Sequence, residues 1–341
     1  MEAKALATEF EDLKGFRGYL EKIKLFSRNA RLYLLHVIGM DMIHGTWEVL
    51  FNLYLLQLGF GIDFIGLRIA IMGVAGAVAS LPMGRLSDRI GRKAGFIVGD
   101  GGGAAMALVQ ILSVNPVVLL VAPAISSMFG ALHHVTESPF MAENSEKRER
   151  VHLFSVSDGL RTLSAMAGSL IAGFLPLWAA VQLNIDKVTA YRYATFIGIA
   201  WWFLSLIPAV MLRPYISREV AEAKAEQRKF PRLQGWRAIF ANVKNPVIIG
   251  KLLLVNALIS LGAGFVIPLF NVFFKEGLHA HEGEIGLTFA AGSLFLALGA
   301  FLVPFVSERL GKVPSVVITR MVSVPFILLI GLAPQLATPP P

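Results

Sequence analysis

The sequence contains no cysteine among its 341 residues. That excludes disulfides and thiol chemistry, and it leaves no mark of the redox state of the compartment. Charge is also scarce. Asp, Glu, Lys and Arg make up 16% of the chain, against about a quarter in an ordinary soluble domain. The first 31 residues are charged and carry no apolar core of the kind a secretory signal needs. No G-x-x-x-x-G-K-[ST] loop is present, which argues against a primary ATP-driven pump, and no H-E-x-x-H pattern supports a metal site. Gly101-Gly102-Gly103 follows no strand, so it suits close helix packing better than phosphate binding. Nothing in these patterns points to an enzyme, a cofactor or a bound metal.

Apolar residue is what the chain has in excess: 55% of the sequence, with a mean hydropathy of +0.64. It comes in blocks of roughly 20 residues, the length a helix needs to cross about 30 Å of hydrocarbon. Lipid offers the backbone no hydrogen-bond partner, so the blocks read as helices. The expected fold is an all-α membrane protein, a polytopic helical bundle. Spans are placed at 32–57, 64–83, 94–113, 116–139, 153–179, 191–212, 246–274, 284–306 and 313–333. The net charge of +8 resides in short loops beside these blocks, which favours membrane topology over nucleic-acid binding. With a cytoplasmic N-terminus, the inside segments 1–31, 84–93, 140–152, 213–245 and 307–312 hold 24 Lys and Arg. The outer loops 58–63, 180–190 and 275–283 hold only Lys187 and Lys275. That asymmetry predicts a cytoplasmic N-terminus and, after nine spans, an external C-terminus. Residues 1–31 are read as a cytoplasmic amphipathic segment, with Phe10, Leu13, Phe16, Leu20, Ile23 and Phe26 at helical spacing. Residues 213–245 are read as a charged cytoplasmic linker that turns amphipathic from Leu233 to Val243; a partly disordered loop is the alternative.

The chain repeats itself across that linker. Ile65-Gly66-Leu67 recurs as Ile285-Gly286-Leu287, and Ser87-Asp88-Arg89-Ile90-Gly91-Arg92 as Ser307-Glu308-Arg309-Leu310-Gly311-Lys312, both at an offset of 220. Phe51-Asn52 matches Phe270-Asn271 at an offset of 219. Three matches in one order, at corresponding topological positions, predict two parallel repeats: a six-helix half over 32–212 and a partial half of three helices over 246–341.

The segment Gly84-Arg85-Leu86-Ser87-Asp88-Arg89-Ile90-Gly91-Arg92-Lys93 resembles the G-x-x-x-D-R-x-G-R-[RK] signature of the major facilitator superfamily (MFS), which lies between spans two and three. The weaker copy through Glu308, Arg309, Gly311 and Lys312 fits that family's second half. The resemblance implies a two-half secondary transporter working by alternating access, with the lipid bilayer, a small-molecule substrate and a coupling proton as its partners. It implies an integral protein of a bacterial plasma (inner) membrane. It also implies that Asp88 latches the halves against the family's helix eleven, and that spans one, four, seven and ten build the cavity. The family's usual complement is twelve spans, so the expectation is a fragment or a product truncated after nine. Ser164, Gly168, Ser169, Ala172 and Gly173 loosely resemble the family's antiporter motif, which tilts the expectation towards proton-coupled export over uptake or facilitated diffusion. A truncated homologue without transport activity is the reading from a different class.

Within the motif, Gly84 is expected to permit close helix approach and Gly91 a tight turn. Arg89, Arg92 and Lys93 are expected to hold the loop at the membrane surface. Ionisable residues inside the spans are the other candidates, because burying them in lipid is costly. Asp41, His44 and Glu48 are spaced to share one face of span one, where the two acids can carry protons with His44 tuning them; a structural polar network paired with neighbouring helices is the alternative. His133, His134 and Glu137 lie in span four, where Glu137, next to the interface, can also simply be hydrated. Asp158 and Arg161 are spaced for an internal ion pair. Asp100 and Arg320 occupy equivalent positions in spans three and nine, and Arg320 can reach the surface. Asn256 and Asn271 are candidate wall residues of span seven, with helix–helix hydrogen bonding as an equal account.

Overall fold

The computed structural model describes residues 23–24, 26–213 and 245–337. The amphipathic N-terminal segment and the 213–245 linker therefore fall outside the described residues, apart from a few flanking positions. The described chain is helical. The helices are α1 (Arg28–Gln57), α2 (Ile62–Ile90), α3 (Arg92–Leu112), α4 (Pro116–Glu143), α5 (Lys147–Gln182), α6 (Lys187–Val210), α7 (Pro246–Val266), α8 (Glu282–Leu310) and α9 (Lys312–Ala337). Beyond Val266, α7 continues through a 3-10 turn (Ile267–Leu269), one α-helical turn (Phe270–Val272) and a π-helical stretch (Phe273–Gly277). Each expected span has its helix. Seven stretches are long and apolar enough to cross a membrane. α1 is not among them, diluted by its own polar residues, and in α9 the described side chains form the apolar stretch Pro314–Phe326.

Local chemistry sets the helix starts. Ser27 caps α1 by accepting from the Ala30 N–H, and Asn115 caps α4 ahead of Pro116 at its first position. Asp186 caps α6, accepting from the Thr189 hydroxyl at 2.6 Å and its N–H at 3.0 Å, which holds the Asp186 carboxyl below its usual range. α2 runs further than the apolar pattern suggests. Gly84–Ile90 forms its last two turns, so the motif is a helix end and a one-residue corner, and not an extended loop. Gly91 makes that corner at φ +84°, and Gly311 makes the corresponding one between α8 and α9 at φ +81°. Both need the left-handed region that glycine alone enters freely. The repeat read from the sequence thus recurs as the same corner, at an offset of 220.

α1 packs on α5 and α6, α4 on α2 and α3, and α3 on α6. α8 lies along α5. Small residues let backbones meet where α5 faces its neighbours. A Cβ at Gly168 would run into the Met42 carbonyl of α1, and one at Gly173 would sit 3.0 Å from the Gly286 Cα of α8. This accounts for the small residues of the antiporter-like stretch as packing. Gly102 and Gly103 likewise accommodate the rings of Phe129 and Trp202. Much of the apolar surface of α7 and α9 is exposed, as suits helices that face lipid.

Candidate functional site

α1, α4 and α5 bring three ionisable side chains together inside the apolar bundle. The Arg161 guanidinium of α5 lies between two acids. Its Nη2 donates to Glu137 Oε1 of α4 at 2.5 Å, and its Nε lies 3.3 Å from Asp41 Oδ2 of α1. The second contact is an ion pair without hydrogen-bond alignment, because neither atom has a hydrogen-bond partner. The Asp41 side chain is 3% exposed, Glu137 10% and Arg161 25%. Arg161 is the accessible member of the trio, and the acids behind it are shielded.

Several expectations change here. The Asp158–Arg161 pair is not formed: Arg161 turns to Asp41 and Glu137, while Asp158 is exposed on α5. Pairing across helices wins because Arg161 can satisfy two shielded acids at once, and Asp158 has access to its surroundings without it. Glu137 is buried and paired, and not simply hydrated. The stripe on α1 is graded. Asp41 is buried, His44 lies 3.8 Å from it and is half-exposed, and Glu48 is exposed. His134 is exposed beside the buried His133. Asn256 is exposed and donates to Leu252 O of its own helix, so it joins no wall among the described residues.

Asn271 does the opposite. It is buried, accepts from Asn52 Nδ2 at 3.1 Å and donates to Val49 O at 3.1 Å, while Asn52 also donates to Pro268 O. Asn52 and Asn271 are equivalents in the repeat, so the two copies of one position meet face to face. Nearby, Glu282 Oε1 at the start of α8 accepts from Lys187 Nζ (3.2 Å), Tyr191 Oη (2.8 Å) and Lys275 Nζ (3.2 Å). Lys187 and Tyr191 belong to α6, so this acid ties α8 to the α1–α6 bundle. Sequence reasoning passed over Glu282, which stands at a helix end with no spacing relation to Lys187 or Tyr191.

The Gly84–Lys93 motif lies at the opposite end of α2. Arg92 is its hub, reaching Asp88 at 2.8 Å, Ser87 at 2.9 Å and Glu143 of α4 at 3.2 Å. Asp88 is 69% exposed, and Arg89 and Lys93 are exposed. Gly84 is corrected: a Cβ there meets nothing within 4 Å among the described residues, so no neighbour requires a glycine. In the second copy Arg309 is exposed and Gly311 makes the corner. Glu308 and Lys312 are placed only as helix residues.

A third cluster escaped the sequence. Asp100 Oδ2 of α3 lies 2.9 Å from both His36 Nε2 of α1 and His133 Nδ1 of α4. Two three-residue sets have ligand-type atoms within 4.8 Å of one another: His36, Asp100 and His133, and His133, His134 and Glu137. Neither set includes Asp41 or His44, and the first is already knit by hydrogen bonds.

The profile of the Major Facilitator Superfamily matches residues 25–340. A relative in Bacillus subtilis (strain 168), the uncharacterized MFS-type transporter YdeG, is 23% identical over 324 residues, covering 91% of this chain and 71% of its own length.

Proposed function

The chain belongs to the Major Facilitator Superfamily, a family of membrane transporters of small molecules, and from that premise we propose that it exports small organic cations in exchange for protons by alternating access. The observation that carries the reading is Arg161 held between Asp41 and Glu137 inside apolar helices. Intramembrane charge is expensive and tends to mark a substrate or proton path. Within the spans 32–57, 116–139 and 153–179, Asp41, Glu48, Glu137 and Asp158 are four carboxylates against one Lys or Arg, Arg161. His44 and His134 stand beside them as further proton carriers. That excess of negative charge favours a cation over an anion. A proton and a cationic substrate then compete for the same carboxylates. Protonation neutralises an acid and releases the cation, and cation binding expels the proton.

The proposed orientation has the N-terminus in the cytoplasm of a bacterial inner membrane, as the Lys and Arg asymmetry favours. The Gly84–Lys93 motif is then cytoplasmic, and the Asn52–Asn271 and Glu282 contacts close the outer end between the six-helix half and the partial second half. Binding near the midplane and rocking of the halves complete the cycle.

The test uses the full chain in proteoliposomes with tetraphenylphosphonium as the probe cation and a pH-sensitive dye. The parent is expected to accumulate the cation against its gradient while protons move the other way. Asp41→Asn and Glu137→Gln, each made singly, are expected to lose that accumulation but to retain cation–cation exchange, which needs no net proton movement and for which the remaining carboxylates still bind the cation. Cation and proton moving in the same direction would replace export by uptake. Mutants that concentrate the cation as well as the parent would reduce both carboxylates to structural roles.

A further inference from the structure

The α1–α6 bundle holds a second titratable cluster that this transport reading leaves unused. His36, Asp100 and His133 are each at most 2% exposed. His36 Nδ1 lies 2.8 Å from the Ser205 carbonyl oxygen of α6, and its Nε2 2.9 Å from Asp100 Oδ2. His133 Nδ1 lies 2.9 Å from that same Oδ2, and Trp202 Nε1 donates to Asp100 Oδ1 at 3.4 Å.

Counting hydrogens constrains the cluster. A carbonyl oxygen only accepts, so His36 Nδ1 carries a hydrogen. In a neutral imidazole Nε2 is then a bare lone pair. It faces a carboxylate oxygen, which also offers only lone pairs. Two acceptors held 2.9 Å apart in a dry interior repel each other. One further hydrogen between them turns the clash into a charge-assisted hydrogen bond. His133 needs no extra hydrogen: its Nδ1–H donates, and its buried Nε2, which has no hydrogen-bond partner, carries the bare lone pair.

We propose that His36 and Asp100 bind one resident proton as an imidazolium–carboxylate pair, a proton site separate from the Asp41–Arg161–Glu137 trio. With neutral His133 the triad then carries no net charge, the state an apolar interior tolerates. The surroundings do not supply the missing positive charge. α1 adds Tyr33, whose ring centroid is 6.1 Å from that of His36, and α4 adds Glu137 and the exposed His134. α5 adds Arg161, already committed to two acids. α6 contributes only the uncharged Trp202 and the Ser205 carbonyl. A divalent cation would answer the same lone pairs, but separations of 2.9 Å suit hydrogen bonds through one oxygen.

Asp100→Asn separates the possibilities. An amide nitrogen in place of Oδ2 can donate one hydrogen to His36 Nε2 and the other to His133 Nδ1, while its oxygen still accepts from Trp202. Every contact survives with no resident proton. The experiment is nitrogen-15 NMR of the histidine-labelled full chain in nanodiscs at pH 7.5, above the ordinary histidine value of about 6.5. The parent is expected to show one histidine protonated at both ring nitrogens. Asp100→Asn and His36→Gln are expected to lose that signal. His133→Asn, whose amide replaces the Nδ1 donor, is expected to keep it, and zinc content is expected to be negligible throughout. Neutral histidines in the parent overturn the proposal, as does a doubly protonated signal that persists in Asp100→Asn. Stoichiometric zinc that Asp100→Asn removes also overturns it, because a metal then occupies the gap.

Discussion

Arg161 is the residue on which the interior charge of the bundle turns. Without it Asp41 and Glu137, 3% and 10% exposed in their side chains, stand close together with no cation between them. Removing one member of a buried ion pair costs about 3–5 kcal/mol, most of it for the charge left behind. Arg161→Gln is accordingly expected to melt well below the parent in detergent, followed by tryptophan fluorescence. Adding Asp41→Asn and Glu137→Gln is expected to recover much of the loss, since no unpaired carboxylate then remains. A triple variant no more stable than Arg161→Gln alone would mean that the trio is not coupled. All three residues were visible in the sequence, because ionisable groups are rare in apolar blocks. Their pairing was not. Spacing along one helix offered Asp158 to Arg161, while the packing of three helices delivered Asp41 and Glu137. His36, Asp100 and His133 were less legible still, since each lies on a different helix and separations of 64 and 33 residues follow no periodicity.

Helices were the most legible level, because hydrocarbon thickness writes their length into the sequence. Their ends were less so. Apolar content marks where lipid stops, but a helix continues into the interface until something breaks it, and α2 carries on through Gly84–Ile90 until Gly91 turns the chain. Helix contacts depend on which glycines meet a neighbour, and composition does not reveal this. A Cβ at Gly286 of α8 would lie 2.6 Å from the Gly173 Cα and 2.7 Å from the Ser169 oxygen of α5. Backbone atoms cannot swing aside as a side chain can. Gly286→Val is therefore expected to push α8 off α5 and to destabilise by about 1–3 kcal/mol, the usual range for overpacking. Gly84→Ala, inside α2 with open space at its Cβ, is expected to stabilise by up to about 1 kcal/mol, the helix propensity of alanine over glycine. Thermal melts of the two variants beside the parent decide it. A Gly286→Val variant as stable as the parent would mean that the α5–α8 contact is looser than its geometry.

At the scale of the whole molecule the repeat bears on the contact between Asn52 and Asn271. Asn52 lies on α1 and Asn271 in the continuation of α7, so their contact lies on the seam between the segments that carry the two copies of the repeated pattern. The proposed alternating access requires that one end of this seam open in each cycle, and the three hydrogen bonds that Asn52 and Asn271 make across it are contacts that opening would break. Three such bonds, at about 1 kcal/mol net each, make a closure that substrate or proton binding can shift. The absence of cysteine gives a clean test. In the double variant Asn52→Cys with Asn271→Cys, a short cleavable thiol cross-linker is expected to join the two positions in native membranes. Cation accumulation in proteoliposomes is expected to stop when the link forms and to return when it is cleaved. Each single variant treated the same way is expected to transport as before, which separates the effect of the link from that of the reagent. Full transport by the cross-linked double variant would show that this end stays shut throughout the cycle, and the moving gate would then have to lie elsewhere along the seam.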